Sequence, residues 1–520
     1  MSFLAKHRLL VLSFCFIIVG FFLRAFQLWR DLVFVYDQGR DALEVQQILE
    51  GHLTLIGPTT GLTGVFLGPF YYYFLTPLYV LGQGNPIVPA YGLALLSAGV
   101  AFLLFWIGKK AGGTIVGCIA ALLFTFSFSQ IQFARWLSNP VPLPFFSCLL
   151  FLSLFAGLQT KKIHWFLCVG LLMGICIQLE AANAMFLIPT LVIITAYELT
   201  AELLQKKQVT VWTIARSMIT AFQKRLKLIV VAIVGFGLFL LPQAFFELRH
   251  QFLSTKALIE SFRTTRDHSV IVNIGNRAQL LFHLYAKGLF PGKEWLFGVL
   301  IIVCCIVGFV KRATLWKSRM FRIIACWFFV PLLFDLWYNG NHGNFWDYYI
   351  IGQHQALYLL IATIIGVGIL SKGCIQKGIT IVSVILFSFF LLLNIHQWMG
   401  FIQPYDGRLS LSLQLDAIHW IEDQSNGQPF GAWMYTPDAQ DDPYKYLFQY
   451  VAKTTGILPV EHPEHTKNMF LLVEDDPVYW KRHDEWIASM ASIGTIKQSK
   501  KFGAVTVYEV ERQDGNPKKK

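Results

Sequence analysis

Near the N-terminus the stretch Tyr36-Asp37-Gln38-Gly39-Arg40-Asp41 sets two carboxylates around one guanidinium. A carboxylate so placed can take a proton from a hydroxyl. The neighbouring arginine can hold an anion, because its planar fork matches carboxylate and phosphate oxygens. The stretch follows an apolar run from about Leu9 to Leu28, close to the ~20 residues needed to cross a bilayer. Lys6, His7 and Arg8 precede that run, so the positive-inside bias puts the N-terminus in the cytoplasm and the acidic stretch at the outer surface.

Other polar residues gather on the same side. They include Gln132, Arg135, Trp136 and Asn139, then Gln178 and Glu180, then Glu247, Arg249 and His250. His283, Tyr285, Lys287, His342, Asp347, Tyr348 and Tyr349 complete the set. Charges at membrane depth are costly and usually face a cavity or one another. The convergence predicts one water-accessible site at the outer membrane surface. Either Asp37 or Asp41 is placed to serve as base, and Arg40, Arg135 or Arg249 to hold a phosphate. Each has a plain counterpart. Asp37 suits a helix cap, Asp41 a supporting charge, Arg135 a headgroup contact, Glu180 a buried pair and Arg249 with His250 a membrane-exit anchor. Tyr71, Tyr72 and Tyr73 suit an aromatic belt. Asp347 and His342 are two candidate ligands for a divalent cation, too few to define a metal site.

The composition sets the frame for these residues. The chain is 520 residues, 55% hydrophobic and 14% charged, with a mean hydropathy of +0.52, which describes a polytopic membrane protein. The net charge of +12 sits mostly in short loops and the Lys518-Lys519-Lys520 tail, where it signals topology and attraction to headgroups rather than nucleic acid. Nine cysteines lie in or beside apolar segments without metal-ligand spacing, and no disulfide framework is expected. The N-terminal segment lacks a small-residue cleavage site and is read as a retained anchor.

Apolar runs recur near 85–108, 113–133, 141–158, 163–180, 183–199, 228–246, 294–310, 321–337, 350–370 and 378–400. Every second loop between them is basic, which predicts about eleven spans with the C-terminus outside, or thirteen with one extra short helix. Residues 64–82 are apolar but carry Pro69, Pro77 and three tyrosines, and suit an interfacial or re-entrant helix. The expected organisation is a membrane module over 1–410, with its first outer loop at 30–84, and a small soluble extracytoplasmic α/β domain over 411–520. In the latter, helices are expected at 411–423, 443–454 and 479–491, strands at 430–435 and 468–473, and a hairpin at 500–510. No P-loop, dinucleotide fingerprint or internal repeat is present.

Residues 1 to about 400 resemble the GT-C superfamily of integral-membrane glycosyltransferases. Within it the similarity points to the bacterial branch of protein O-mannosyltransferases and lipid A aminoarabinose transferases, of glycosyltransferase family 39 type. Tyr36-Asp37-Gln38 and Glu50-Gly51-His52 stand where that family has its first-loop acidic motif, with Gln38 in place of a second carboxylate. Leu67-Gly68-Pro69-Phe70 resembles its proline-containing segment, and Phe133 to Asn139 its outer-loop arginine motif. Leu241-Pro242 through His250 is similar to a segment of uncharacterised bacterial members, and Asp347-Tyr348-Tyr349 to a late Tyr-Tyr element. The resemblance implies a GT-C fold and transfer of a sugar, with inversion, from a polyprenyl-phosphate donor to an acceptor hydroxyl on a protein, lipid or glycan. It implies Asp37 as catalytic carboxylate with Asp41 beside it. Arg40, Arg135, Asn139, Glu180, Arg249, His250 and Tyr348 are the expected substrate-binding residues, and a divalent cation is left open. Two rival readings are a flippase for lipid-linked glycans and a non-catalytic envelope scaffold. The absence of repeats and the gathering of charges at one face argue against the transporter.

Overall fold

The computed structural model describes residues 3–204, 211–267, 273–338, 343–371, 374–403, 407–460, 466–491 and 494–512. The chain is mainly helical. It opens with α1 (Phe3–Ala25) and α2 (Leu28–Asp31), followed by α3 (Tyr36–Leu49) and α4 (Phe70–Leu81). Next come α5 (Ile87–Gly112), α6 (Thr114–Phe126), α7 (Phe128–Ala134), α8 (Leu143–Thr160), α9 (Ile163–Leu179), α10 (Ala181–Ala184) and α11 (Leu187–Leu204). The series continues with α12 (Val211–Arg249), α13 (Leu253–Asp267), α14 (Ile274–Leu289), α15 (Trp295–Val310), α16 (Arg312–Lys317) and α17 (Arg319–Trp337). A 3₁₀ turn at Asp347–Ile350 leads into α18 (His354–Ile369) and α19 (Cys374–Phe401).

Among the described residues six helices are long and apolar enough to cross a membrane, or seven if the bent pair α6–α7 is one span. Shorter apolar helices lie at Ile163–Leu179, Leu187–Glu198, Trp295–Val310 and His354–Ile369. The chain is a multi-pass membrane protein. In lipid, helices associate through close backbone approach more than through apolar burial. Such an approach joins α9 to α12: a Cβ on Gly170 would lie 1.9 Å from the Ala232 carbonyl oxygen, and one on Gly235 2.7 Å from that of Leu167.

The run at 113–133, expected to be continuous, is bent by 61° at Ser127. The backbone groups freed there find partners elsewhere in the bundle. Phe128 N–H donates to Asn394 Oδ1 at 2.7 Å, and the buried Arg24 donates to the carbonyls of Phe124 and Thr125 at 3.1 and 3.3 Å. A break in a membrane helix persists only where neighbours supply such partners.

The segment at 64–82 forms α4, whose 12 residues span ~18 Å at 1.5 Å each, well short of a ~30 Å hydrocarbon core. Tyr71 and Tyr72 are buried at 0% and 2% exposure, so they form core against α3 and not the belt expected of them.

The C-terminal unit comprises α20 (Leu411–Ser425), β1 (Gly431–Tyr435), α21 (Asp442–Thr455), β2 (Asn468–Glu474), α22 (Trp480–Ala491), β3 (Gly494–Phe502) and β4 (Val505–Arg512). The sheet order is β1-β2-β4-β3, with β1 and β2 parallel and the other pairs antiparallel. The α21 crossover is the connection a parallel pair requires. The closing hairpin is longer than expected, beginning at Gly494. This unit is stitched to the first loop: Leu411 N–H donates to Leu32 O at 2.8 Å, and Phe34 packs its ring 6.0 Å from that of Tyr446.

Candidate active site

The loop after α2 turns the chain into α3, whose N-cap is Val35 and not Asp37. Gln38 fixes that turn. Its Oε1 accepts the Val35 N–H at 3.1 Å, and its Nε2 donates to Leu137 O at 3.1 Å. The residue standing where the resembling family has a second carboxylate therefore tethers α3 to the Arg135–Asn139 segment. Asp37 falls in the first turn of α3, where unpaired N–H groups favour negative charge.

Arg40 bridges both carboxylates, 3.0 Å from Asp37 Oδ1 and 2.7 Å from Asp41 Oδ1. It also donates to Thr59 Oγ1 at 2.8 Å and lies 5.4 Å from the Tyr36 ring centre. The two acids differ in access: the Asp37 side chain is 48% exposed and that of Asp41 3%. Burial pushes the Asp41 carboxyl up to about 7 despite Arg40, and its Oδ2 has no hydrogen-bond partner. Tyr72 and Arg40 share this buried side of α3. Of the pair, Asp37 is the carboxylate open to a substrate.

Beside the N-terminus of α3 lies a cavity of about 390 Å³ lined by Asp31, Arg135, Trp136, Lys287, Asp347 and Tyr348, with Phe401 and His354 among its walls. Asp31 is the hub of its charged wall. Its buried carboxylate receives Arg30 Nε at 3.3 Å, Arg135 Nη2 at 3.1 Å and Arg408 Nη1. Arg135 Nη1 donates to the carbonyls of Arg24 and Phe26, at 2.9 and 2.7 Å, while its buried Nε has no hydrogen-bond partner among the described residues. Burial lowers its pKa to about 10, with Asp31 acting in the opposite direction. Arg135 thus ties the end of α7 to the α1–α2 corner. Lys287, by contrast, is exposed at the cavity and has no ion-pair partner among the described residues.

Tyr348 lines the cavity. Its ring packs 5.7 Å from that of Trp136. Burial chiefly, then the fields of Tyr349, Glu180 and Asp37, raise its phenol above the usual range. Glu180, itself pushed up to about 7 by burial, accepts the Ala182 N–H at 3.0 Å. Asn139 donates to Leu179 O at 2.5 Å, pinning the end of α9 just before Glu180. Of the expected residues, Asp37, Arg40 and Asp41 lie together on α3, Arg135 and Tyr348 on the cavity wall, and Asn139 and Glu180 at the end of α9.

Arg249 and His250 stand apart from the cavity wall. Both are exposed at the end of α12, with the His250 ring stacked 4.2 Å from that of Phe246 and its Nδ1 2.9 Å from the Phe246 carbonyl. Phe246 in turn packs on Phe66 of the first loop. His342 lies outside the described residues. Among the described residues no group of three or more His, Cys, Asp and Glu side chains is placed to hold a metal ion. Asp31 and Arg408 were missed in the sequence. Asp31 closes the Trp29-Arg30-Asp31 corner directly after a span, and its charge at that depth was the available signal.

Comparison with known proteins gives a uniform answer on fold. ArnT from Cupriavidus metallidurans in the apo state superposes with a TM-score of 0.55 at 12% identity, over 97% of this chain and 98% of that one. The same protein bound to undecaprenyl phosphate gives 0.53 at 11%, over 96% and 97%. The oligosaccharyltransferase of Archaeoglobus fulgidus in the apo form gives 0.51 at 12%, over 86% of this chain and 65% of that one. The fold is shared with ArnT and with the archaeal oligosaccharyltransferase. No protein-family model matches the sequence, and no curated protein matches it. The likeness to ArnT covers nearly the whole chain, so the C-terminal sheet falls within it as well as the membrane helices.

Proposed function

We propose that this protein transfers a sugar from a polyprenyl-phosphate donor to an acceptor hydroxyl at the outer membrane surface. One observation carries the reading. Tyr348 lines one cavity with Arg135 and Lys287 and lies within the field of the exposed Asp37 carboxylate, so a proton acceptor stands near an anion site. The neighbours support the donor class, since ArnT is solved bound to undecaprenyl phosphate and the archaeal oligosaccharyltransferase in complex with a dolichol-phosphate and an inhibitory peptide.

In this reaction Asp37 takes the acceptor O–H proton as the oxygen attacks the anomeric carbon. The carbon–oxygen bond to phosphate breaks on the opposite face, so configuration inverts and the polyprenyl phosphate leaves as an anion. Lys287, backed by Arg135, neutralises it, and preorganised charge of that kind lowers the barrier most where water is excluded. Arg40 holds the Asp37 carboxylate in position through their 3.0 Å ion pair, while Asn139 and Glu180 shape the wall behind Tyr348. Arg249 and His250 act at the margin, through Phe246 and the first loop. The chain crosses the membrane about eleven times, with its N-terminus in the cytoplasm and the unit from residue 411 onward extracytoplasmic. The acceptor is a protein, lipid or glycan of the cell envelope.

The test is a transfer assay in proteoliposomes with radiolabelled polyprenyl-phosphate sugars and envelope extract, run with wild type and Asp37→Asn. Label reaching an acceptor only with wild type supports the enzyme. Donor translocated across the bilayer without transfer replaces it with the flippase.

A further inference from the structure

A second face of α3, about a third of a turn from the reactive acids, lines another cavity. A helix turns 100° per residue, so Asp37, Asp41 and Glu44 share one face while Ala42, Val45, Gln46 and Leu49 share another. This second face, α4 with the turn after it, and α21 border about 230 Å³, with Gln46, Tyr79, Gln83, Gly84, Tyr446 and Lys453 supplying its polar groups. The cavity therefore lies on the seam between the first loop and the C-terminal unit.

Two polar atoms of the residues lining it lack partners. Tyr79 is 1% exposed, yet its hydroxyl makes no hydrogen bond, and neither does the buried Gln46 Oε1. Buried polar atoms are nearly always satisfied, so two orphans at one hollow indicate a missing partner. The remaining groups of the Gln46 and Tyr446 side chains are already in use. Gln46 Nε2 donates to Glu50 Oε1 at 3.0 Å, and Tyr446 OH donates to Gly84 O at 2.5 Å. The Lys453 ammonium closes one rim, near enough to Gly84 that a Cβ there would lie 3.2 Å from it. The Tyr79 and Tyr446 rings meet edge to face at 6.1 Å.

These groups specify the guest. An amide oxygen demands a donor, which an ionised phosphate or carboxylate does not offer. The ammonium demands an acceptor, and a purely apolar guest would leave every polar group bare. Sugar hydroxyls supply donors and acceptors together, and the C–H face of the ring suits aromatic side chains. Several waters would fit the same space, but water leaves the aromatic lining unused.

We propose that this seam cavity is a carbohydrate subsite that holds one sugar residue of a glycan acceptor or product. The proposal rests on the transferase reading only for the words acceptor and product. Occupancy would couple the C-terminal unit to α3, because the guest touches α21 and the reactive helix at once.

The test is equilibrium binding to the full chain in lipid nanodiscs with no donor present, using mannotriose, chitotriose and a soluble tripeptide as probes. At least one oligosaccharide is expected to bind saturably, with affinity reduced about tenfold or more in Tyr79→Phe and Gln46→Leu. Lys453→Gln, an exposed change that spares folding, should weaken the same oligosaccharide by a smaller factor. Absence of oligosaccharide binding, binding indifferent to all three substitutions, or binding of the peptide instead would each overturn the subsite. Oligosaccharide binding sensitive to these substitutions in a protein that transfers no sugar would overturn the transferase reading and leave the subsite standing.

Discussion

Gly39 lies so tightly against Pro443 that a Cβ on Gly39 would come within 2.4 Å of the proline nitrogen and 2.6 Å of its Cα. The obstacle is backbone, which cannot swing aside as a flexible side chain would. Gly39→Ala must therefore push α21 away from the helix that carries Asp37. Overpacking of this kind costs about 1–3 kcal/mol. We expect a lower thermal midpoint and reduced transfer together, and cysteines placed on α3 and α21 should then cross-link more slowly. Unchanged cross-linking would show that the seam tolerates a methyl group.

Asp37 and Asp41 make a matched comparison on one helix. Asp37→Asn removes an exposed base and leaves the fold intact, so transfer should fall about 10²–10⁴-fold with donor binding retained. Asp41→Asn replaces a buried carboxyl by its neutral isostere beside Arg40 and should retain far more activity. The check is kcat for both variants at saturating donor. Equal losses would assign the base role to the pair rather than to Asp37.

The two cations of the large cavity are expected to separate by phenotype. Lys287 is exposed and unpaired among the described residues, so Lys287→Gln should raise the KM for donor about tenfold with the thermal midpoint unchanged. Arg135 holds Asp31 and two backbone carbonyls inside the protein. Removing one partner of a buried pair typically costs about 3–5 kcal/mol. Arg135→Gln should lower the thermal midpoint and the yield of folded protein before any kinetic effect is measured. A stable Arg135→Gln protein with weakened donor binding would move the phosphate contact to Arg135.

Much of this arrangement is legible in the chain because membrane helices are written as apolar runs with charged ends. The runs expected from 85–108 to 378–400 all fall on helices, the one at 113–133 on two. The bend at Ser127 was not legible: both halves are apolar, and the donor's partner, Asn394, is 266 residues away. The same reason hid Asp31, whose other partners Arg135 and Arg408 come from segments far along the chain. The motif placed Asp37 and Asp41 together but could not tell them apart. Their difference comes from Tyr72 and from the packing of α21, neither of which adjoins them in sequence. Arg249 and His250 carry a pattern that suggested a site, yet the exit direction of α12 turns them onto Phe246.

Three buried carboxyls outside the spans make stability depend on pH with a definite sign. Burial pushes Asp41, Glu180 and Glu474 each up to about 7 from ordinary values of 3.8 or 4.5. Between those limits the folded protein binds more protons than the unfolded chain, so stability falls as pH rises. The contribution is fully present below about pH 4 and is lost as pH rises through about 7. Asp476 and Glu247 have lowered values and act oppositely, but only near and below their ordinary values of 3.8 and 4.5. Between pH 5 and 8 the three raised groups therefore dominate, and the thermal midpoint in detergent should decline across that interval. Glu474 offers the cleanest dissection, since it lies in the C-terminal unit and accepts Tyr444 OH at 2.9 Å. Glu474→Gln should flatten the slope without touching Asp37, and a double change with Asp41→Asn should flatten it further. A slope that survives both substitutions would place its origin elsewhere in the protein.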